Sequence, residues 1–241
     1  IFVPNGGSAT CTITNKDIAP TLRLQKQVFG SSALTTADWD LTASGEAGFT
    51  DTGDSVTYHK VLANEYYVLT ESDIEGYTAG NWSCPGAALQ GNVLMLGLNQ
   101  NITCTITNTR DTGNIEIVKL IDADGDLSTT DDQTPYEGWV VDVDQDGTDT
   151  DDPVMSATDS NGKSTATGIK TGKYWVSESV VTGYKVLEGE CIVDGQETGD
   201  GGEGESSFGN VLVKKDKTTI CTFINTQMGK IVVKKVTSPV D

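Results

Sequence analysis

Residues 91–108 read GNVLMLGLNQNITCTITN, and residues 209–225 read GNVLVKKDKTTICTFIN, so one strand pattern occurs twice. Residues 11–15, CTITN, repeat the end of this pattern a third time. A strand-opening motif recurs in the same way, as TLRLQK at 21–26, NIEIVK at 114–119 and KIVVKK at 230–235. Self-similarity at this spacing predicts stacked modules and favours a structural or adhesive role.

The repeats define four segments of the chain. Residues 1–19 are expected to be the last strands of a preceding, incomplete unit. Residues 20–112 and 113–228 are expected to be two whole units, which we call unit 1 and unit 2. Residues 229–241 are expected to supply the first strand of a following unit.

The composition indicates the fold class and excludes two classes of partner. The apolar stretches are short, rich in Val, Ile, Thr and Tyr, and separated by Gly, Asp and Asn, which is typical of an all-β protein. Asp and Glu outnumber Lys and Arg by 35 to 16, which gives a formal net charge of −19. Such a surface repels nucleic acid and anionic membranes, so neither is an expected partner. No apolar run is long enough to span a bilayer; an export signal and an anchor are expected outside this segment.

The cysteines fall at matched positions in the repeat. Cys84 follows Gly-Tyr at 76–77 and Cys104 lies in the last strand of unit 1. Cys191 follows Gly-Tyr at 183–184 at the same offset, and Cys221 lies in the last strand of unit 2. The sequence therefore predicts the disulfides Cys84–Cys104 and Cys191–Cys221, while Cys11, in a last-strand position, is expected to pair outside the fragment. Disulfides indicate an oxidising, extracellular location.

Strand alternation places polar residues among apolar ones in both units. In unit 2, Lys119, Glu178 and Asn225 fall on the same strand faces as apolar side chains. The matching residues are Lys26, Glu71 and Asn108 in unit 1, and Asn15 and Lys235 in the partial units. Separate buried polar groups are costly, so each set is expected to lie together. The alternative is that Lys and Glu pair at a strand end while Asn caps a turn.

This ordered set resembles the collagen-adhesin B-type domains of bacterial surface proteins and pilins, also called CnaB-like, SpaA-like or prealbumin-like domains. Those domains carry Lys on the first strand, Asn near the end of the last strand, and Glu in a Tyr-x-Leu-x-Glu strand followed by Gly-Tyr. The corresponding stretches here are YVLTE at 67–71 and YWVSE at 174–178. The resemblance covers essentially the whole chain and implies tandem Greek-key, immunoglobulin-like (prealbumin-like) β-sandwiches.

The resemblance also implies a single-turnover reaction that joins Lys to Asn through an isopeptide bond. Burial lowers the pKa of the Lys amine and leaves it neutral and nucleophilic, while a protonated Glu polarises the Asn carbonyl. The implied bonds are Lys26–Asn108 and Lys119–Asn225, promoted by Glu71 and Glu178. Asn15 and Lys235 are expected to pair outside the fragment. Apart from this self-reaction, no enzyme activity is expected.

Acidic loops distinguish unit 2 from unit 1. Alternating Asp residues before a Gly place several oxygens around one point, as hard cations require. The loops resemble the calcium loops in the B domains of serine-aspartate-repeat surface proteins. The expected calcium ligands are Asp122, Asp124 and Asp126, joined by Asp142, Asp144 and Asp146. The alternative is a solvated acidic loop that binds no ion.

The function expected from these features is that of a stalk or fibre segment at the cell surface, pilus-like or an adhesin shaft, stiffened by isopeptide bonds and disulfides. Its expected partners are neighbouring repeats or subunits, with host matrix or carbohydrate bound at a tip outside the fragment. One alternative is an adhesin module that binds matrix or carbohydrate directly. Exposed aromatic loops would favour it, whereas Trp39, Trp82 and Trp139 look like strand residues. A second alternative is a subunit of a self-assembling filament.

Overall fold

The computed structural model describes residues 1–14, 16–30, 34–145, 152–202, 204–229 and 231–236. Its regular structure is almost entirely β, with one turn of 3₁₀ helix at Thr36–Asp38. In this part of the chain, no helix has the length and apolar character needed to cross a membrane. The chain divides into two compact units, the first comprising Ile1–Phe29, Leu34–Ile74 and Ala79–Asn108, and the second Gly30–Ala33, Glu75–Thr78 and Thr109–Asp241.

Unit 1 contains two sheets. Its strands are β1 (Thr21–Phe29), β2 (Asp40–Ser44), β3 (Phe49–Thr52), β4 (His59–Lys60), β5 (Tyr66–Glu71), β6 (Tyr77–Ala79), β7 (Ala88–Gln90), β8 (Val93–Met95) and β9 (Asn101–Arg110). One sheet has the strand order β4-β1-β9-β6 and the other β3-β2-β5-β8-β7. The first and last long strands, β1 and β9, are therefore hydrogen-bonded neighbours.

The core of unit 1 follows from strand alternation, because every second side chain points to the same face. On β1, Leu22, Leu24 and Lys26 are buried, and on β9 every second residue from Ile102 to Asn108 is buried. The second sheet covers them with buried apolar side chains from β2, β5 and β8. Unit 1 is thus a β-sandwich with a lysine and an asparagine inside its core, as the alternation predicted.

Unit 2 also contains two sheets. Its strands are β10 (Thr112–Asp122), β11 (Thr134–Pro135), β12 (Val141–Asp144), β13 (Lys163–Lys170), β14 (Gly172–Glu178), β15 (Tyr184–Val193), β16 (Gln196–Glu197), β17 (Ser207–Val213) and β18 (Thr218–Gln227). The larger sheet has the order β11-β10-β18-β15-β16, with β13 also paired to β10. The smaller sheet has the order β12-β14-β17.

The pairing of β10 with β18 organises unit 2. The two strands run parallel in unbroken register from Asn114↔Thr218 to Asp122↔Thr226. Parallel neighbours cannot be joined by a tight hairpin, and here the rest of the unit forms the connection. Their inward side chains pack with those of the smaller sheet around a core that includes Trp139.

The described parts of the predicted terminal strands, residues 11–14 and 231–236, are exposed and have no strand structure. Their pairing outside the fragment stays a prediction. The prediction that Trp39, Trp82 and Trp139 are strand residues is wrong, because none of them lies within a strand, although all three are buried. They fill the core from the segments that flank the strands, where the backbone is not bound to strand alternation.

Candidate cross-linking sites

The site in unit 2 is formed where β10, β14 and β18 meet. Lys119 on β10 pairs with Phe223 on β18, and Asn225 lies two residues further along the same strand face. The Lys119 Nζ donates to Asn225 Oδ1 and lies 2.9 Å from Glu178 Oε2. Asn225 Nδ2 donates to Glu178 Oε1 at 2.8 Å, which closes a triangle of contacts. The structure therefore brings together the three residues that the sequence placed in one set.

Burial controls the charge of this lysine. Lys119 is 0 % exposed, and its Nζ lies 4.4 Å from the centre of the Trp139 ring. Loss of hydration lowers the pKa of Lys119 to about 8, although the charge and hydrogen bond of Glu178 act in the opposite direction. With that pKa, about a tenth of the amine is neutral at pH 7, against roughly one part in 3,000 at the ordinary value.

The arrangement has the groups that an amide exchange requires. A partly neutral amine is adjacent to the side-chain amide of Asn225, and the carboxyl group of Glu178 contacts both. Such a carboxyl group can move a proton from the attacking nitrogen to the departing one. Fixed strands hold the reacting atoms together, and proximity of this kind replaces a bimolecular encounter.

Unit 1 has the same residues with a less complete set of contacts. Lys26 on β1 donates to Glu71 at the end of β5, and burial lowers the pKa of Lys26 against the opposing effect of Glu71. The Lys26 Nζ lies 4.9 Å from the centre of the Trp39 ring. Asn108 is buried, but its Oδ1 has no hydrogen-bond partner within the described structure. Lys26 and Glu71 are therefore in contact. Asn108 lies in the same core, and its Oδ1 is an acceptor with no hydrogen-bond partner in the described structure.

The sequence analysis missed the tryptophan above each lysine. Trp39 directly precedes β2 and Trp139 lies two residues ahead of β12, and both contact the lysine through the ring face. In unit 2 the indole is supported by edge-on contacts with Tyr136 and Tyr184 at centroid distances of 5.4 and 5.3 Å. A Trp shortly ahead of a strand in both repeats was the available signal.

The structure contains both predicted disulfides. Cys84 pairs with Cys104, and Cys191 pairs with Cys221 across adjacent strands β15 and β18. The pairs are separated by 20 and 30 residues in sequence. In the chain-entropy model, closing loops of this size stabilises a fold by about 3 to 4 kcal/mol each. Cys11 is a free, exposed thiol in this structure.

Three other predicted site residues are Asn15, Asp146 and Lys235. Asn15 and Asp146 lie outside the described residues. Lys235 is exposed and lies in no strand. The predicted partners of Asn15 and Lys235 lie outside the structure, and the structure does not describe Asp146, so all three predictions stay as they were.

The acidic loop after β10 gathers a set of carboxylates that differs from the predicted one. Asp122, Asp124 and Asp132 each place an oxygen within 4.8 Å of the others. Asp126 is not in this group; its carboxylate accepts the backbone N–H of Ser128 at 3.0 Å.

Two further predicted ligands, Asp142 and Asp144, are on β12 in the other sheet. Neither belongs to any described group of three or more candidate metal ligands. Val141 and Val143 of this strand are buried, so strand alternation points Asp142 and Asp144 to the outer face of that sheet.

Comparison with known proteins gives two kinds of likeness. Residues 17–106 match the family described as a prealbumin-like fold domain. The Bacillus anthracis TIE protein aligns over 88 % of this chain and 34 % of its own, with 14 % identity and a TM-score of 0.53. The C-terminal fragment of the pilus adhesin SpaC from Lactobacillus rhamnosus GG aligns over 90 % of this chain and 100 % of its own, with 12 % identity and a TM-score of 0.51.

These likenesses bear on the fold. At such low identities the two structures show a shared architecture and nothing finer. This chain spans about a third of the length of the TIE protein chain that it matches. A search of curated proteins gave no significant match.

Proposed function

Because residues 17–106 form a prealbumin-like domain, as the sequence resemblance predicted, we propose that this chain is a structural segment of a pilus-like or adhesin shaft at the cell surface. The role is mechanical rather than enzymatic. The observation that supports it best is the contact triangle of Lys119, Glu178 and Asn225 in the core of unit 2.

The proposed chemistry is one amide exchange per unit. The neutral Nζ of Lys119 attacks Cγ of Asn225, a Cγ–Nζ bond forms, and the Cγ–Nδ2 bond breaks. Glu178 carries a proton from Nζ to Nδ2, so that ammonia leaves. The same reaction joins Lys26 to Asn108 with Glu71 in the carboxyl role. In unit 1 the unpartnered Oδ1 of Asn108 is the acceptor that this carboxyl group would polarise.

The strand geometry determines how this bond would carry mechanical load. Tension applied through the chain reaches unit 2 at the start of β10 and the end of β18. Because these strands are parallel neighbours, that tension shears them along their shared ladder. Each ladder hydrogen bond contributes only about 1 kcal/mol net. A covalent bond from Lys119 to Asn225 would carry the load directly from one strand to the other.

The disulfides add a second tie in each unit. Cys191–Cys221 joins β18 to its other neighbour, β15. With the proposed amide, β18 would be linked covalently on both sides. Disulfides persist in oxidising compartments, which supports an extracellular location, with neighbouring repeats or subunits of the same protein as partners.

Intact mass spectrometry tests the proposed cross-links. Each amide removes one ammonia, so the denatured, reduced wild-type chain should be lighter than its sequence mass by about 34 Da, or about 17 Da for each bond. Glu178→Ala should restore about 17 Da, located by peptide mapping to unit 2. Glu116→Ala is the matched control, because Glu116 pairs with Lys163 on an outer strand face and should leave the mass unchanged. A wild-type chain of full sequence mass would refute the proposal.

Calcium binding in unit 2 is a second, separate proposal. It is supported by the proximity of Asp122, Asp124 and Asp132, by the complete burial of Asp122, and by the buried Oδ1 of Asp132, which has no hydrogen-bond partner in the described structure. Carboxylate oxygens at this spacing suit a hard cation. Asp122 is also the last residue of β10. An ion held there would fix the end of the strand that carries Lys119.

A further inference from the structure

The outer face of the smaller sheet of unit 2 carries an unusual side chain. Trp175 on β14 is 51 % exposed, whereas Trp39, Trp82 and Trp139 are buried. Its strand neighbours Tyr174 and Val176 point into the core, so Trp175 must point outward. Core packing therefore does not account for the position of this indole.

Both neighbouring strands place polar side chains beside this indole. On β12, Asp144 pairs directly with Trp175. On β17 the register with β14 shifts between Tyr174 and Val176, which leaves residues 209–210 opposite Trp175. We call Asp144, Trp175 and Asn210 the indole platform.

A β-bulge shapes the platform. Asn210 has φ of +55°, and its Nδ2 donates to the carboxylate of Asp200, which pairs with Gly209 on the edge of β17 opposite β14. Gly209 lies under the indole, since a Cβ at that position would be 2.9 Å from the ring. The six-membered ring of the indole therefore lies against bare backbone, and about half of the side chain is open to solvent. Bulges of this kind commonly redirect side chains at functional sites.

We propose that the indole platform binds a neutral saccharide. A flat, exposed aromatic face suits the C–H face of a pyranose ring, and a carboxylate and an amide on its two flanks can accept from and donate to ring hydroxyls. Neighbouring strands are about 4.8 Å apart, so the three residues span about 10 Å, roughly the width of one pyranose ring together with its hydroxyl groups. The carboxylates of Asp142, Asp144 and Asp200 disfavour sulfated or sialylated glycans by charge repulsion.

Unit 1 provides an internal comparison. Val68 occupies the position of Trp175 in the repeated strand. Val68 pairs with Ser44 on one side and Val93 on the other, so neither a carboxylate nor an amide flanks it. The platform is thus a property of unit 2 alone, and it does not depend on the cross-links proposed above.

The test uses the full chain with ¹⁵N-labelled tryptophan, whose four indole N–H signals are followed by NMR. The probes are neutral gluco-, galacto- and manno-oligosaccharides, a heparin oligosaccharide and a Lys/Arg-rich peptide. Trp175→Val introduces the residue of unit 1. Asn210→Gly removes the amide and tolerates the positive φ. Val68→Trp is the control that adds an exposed indole without the flanking groups.

At least one neutral oligosaccharide should shift the Trp175 signal selectively. Trp175→Val should weaken binding by about tenfold or more, as loss of a central aromatic contact does. Asn210→Gly should weaken it less, and Val68→Trp should add no second site. Binding by heparin or the basic peptide alone, binding unchanged in Trp175→Val, or no response to any neutral saccharide would each overturn the proposal. The intact mass of the same sample separates this result from the cross-link proposal.

Discussion

Replacing Lys119 by Ala should convert unit 2 from an inextensible module into one that unfolds under load. Lys119 and Asn225 are 106 residues apart in sequence, and an amide between them would keep all of that chain out of the path of the force. In the variant, the 30 residues closed by Cys191–Cys221 stay shielded, which leaves about 76 residues to extend. At about 3.5 Å per residue the gain in contour length is roughly 270 Å.

Reduction of the disulfide in the Lys119→Ala variant should lengthen its unfolding step. With Cys191–Cys221 reduced, all 106 residues of the variant extend, so the unfolding step should lengthen to roughly 370 Å. The reduced wild-type chain should show neither step, because the proposed amide does not depend on thiol chemistry. Two step lengths that differ by the length of the disulfide loop would show that the amide and the disulfide lie in the same unit.

Single-molecule force spectroscopy on the full chain, attached at its ends, measures these steps. Lys163→Ala is the control, because Lys163 is half-exposed and pairs with Glu116 on the outer face of the same sheet. Its trace should match that of the wild type. A wild-type unit 2 that extends by roughly 270 Å at modest force would refute the cross-link and the mechanical role together.

Three further outcomes are expected. Cross-linking during refolding of denatured, unreacted chain, followed by mass after quenching, should accelerate as pH rises to about 8 and then level off, because the pKa of Lys119 is about 8. In Asn225→Ala, which cannot cross-link, Lys119 is protonated in the unfolded state and neutral in the folded state between pH 8 and 10.5. The free energy of unfolding, measured with denaturant, should therefore rise by about 3 kcal/mol across that window. The cross-linked wild type should show no such rise from this lysine. Calcium at about 100 times its Kd should add about 2.7 kcal/mol to the stability of unit 2 in the full chain; Asp132→Asn should abolish the gain and Asp126→Asn should not.

Strand alternation explains why so much of the site was predictable. Lys119, Glu178 and Asn225 each follow buried residues at intervals of two, and the pleat of a strand sends such residues to one face regardless of loop detail. The cysteine pairs were predictable for a related reason, since both units place them at matching offsets. Strand alternation also points Trp175 to the outer face, so its exposure could have been predicted from the sequence.

Other features depend on contacts that no local pattern encodes. Trp139 reaches Lys119 from outside any strand, so its direction is set by the path of a connecting segment. Asp132 joins Asp122 and Asp124 because the loop folds back, with its carboxylate accepting the backbone N–H groups of Ala123 and Asp124. The bulge opposite Trp175 arises from pairing between two distant strands. The segments 11–14 and 231–236 carry strand sequences without strand structure, because a strand needs a partner to pair with.

The parallel ladder between β10 and β18 also dictates an order of events as the chain is made. Lys119 and Phe223 are 104 residues apart, so their ladder cannot close until the last strand has emerged. Until then, the sheet partners of β10 within the described structure are the antiparallel strands β13 and β11. Contacts of such long range form late and slowly. The lysine therefore meets its asparagine only in a unit whose synthesis is finished, and a truncated chain never completes the proposed cross-linking site.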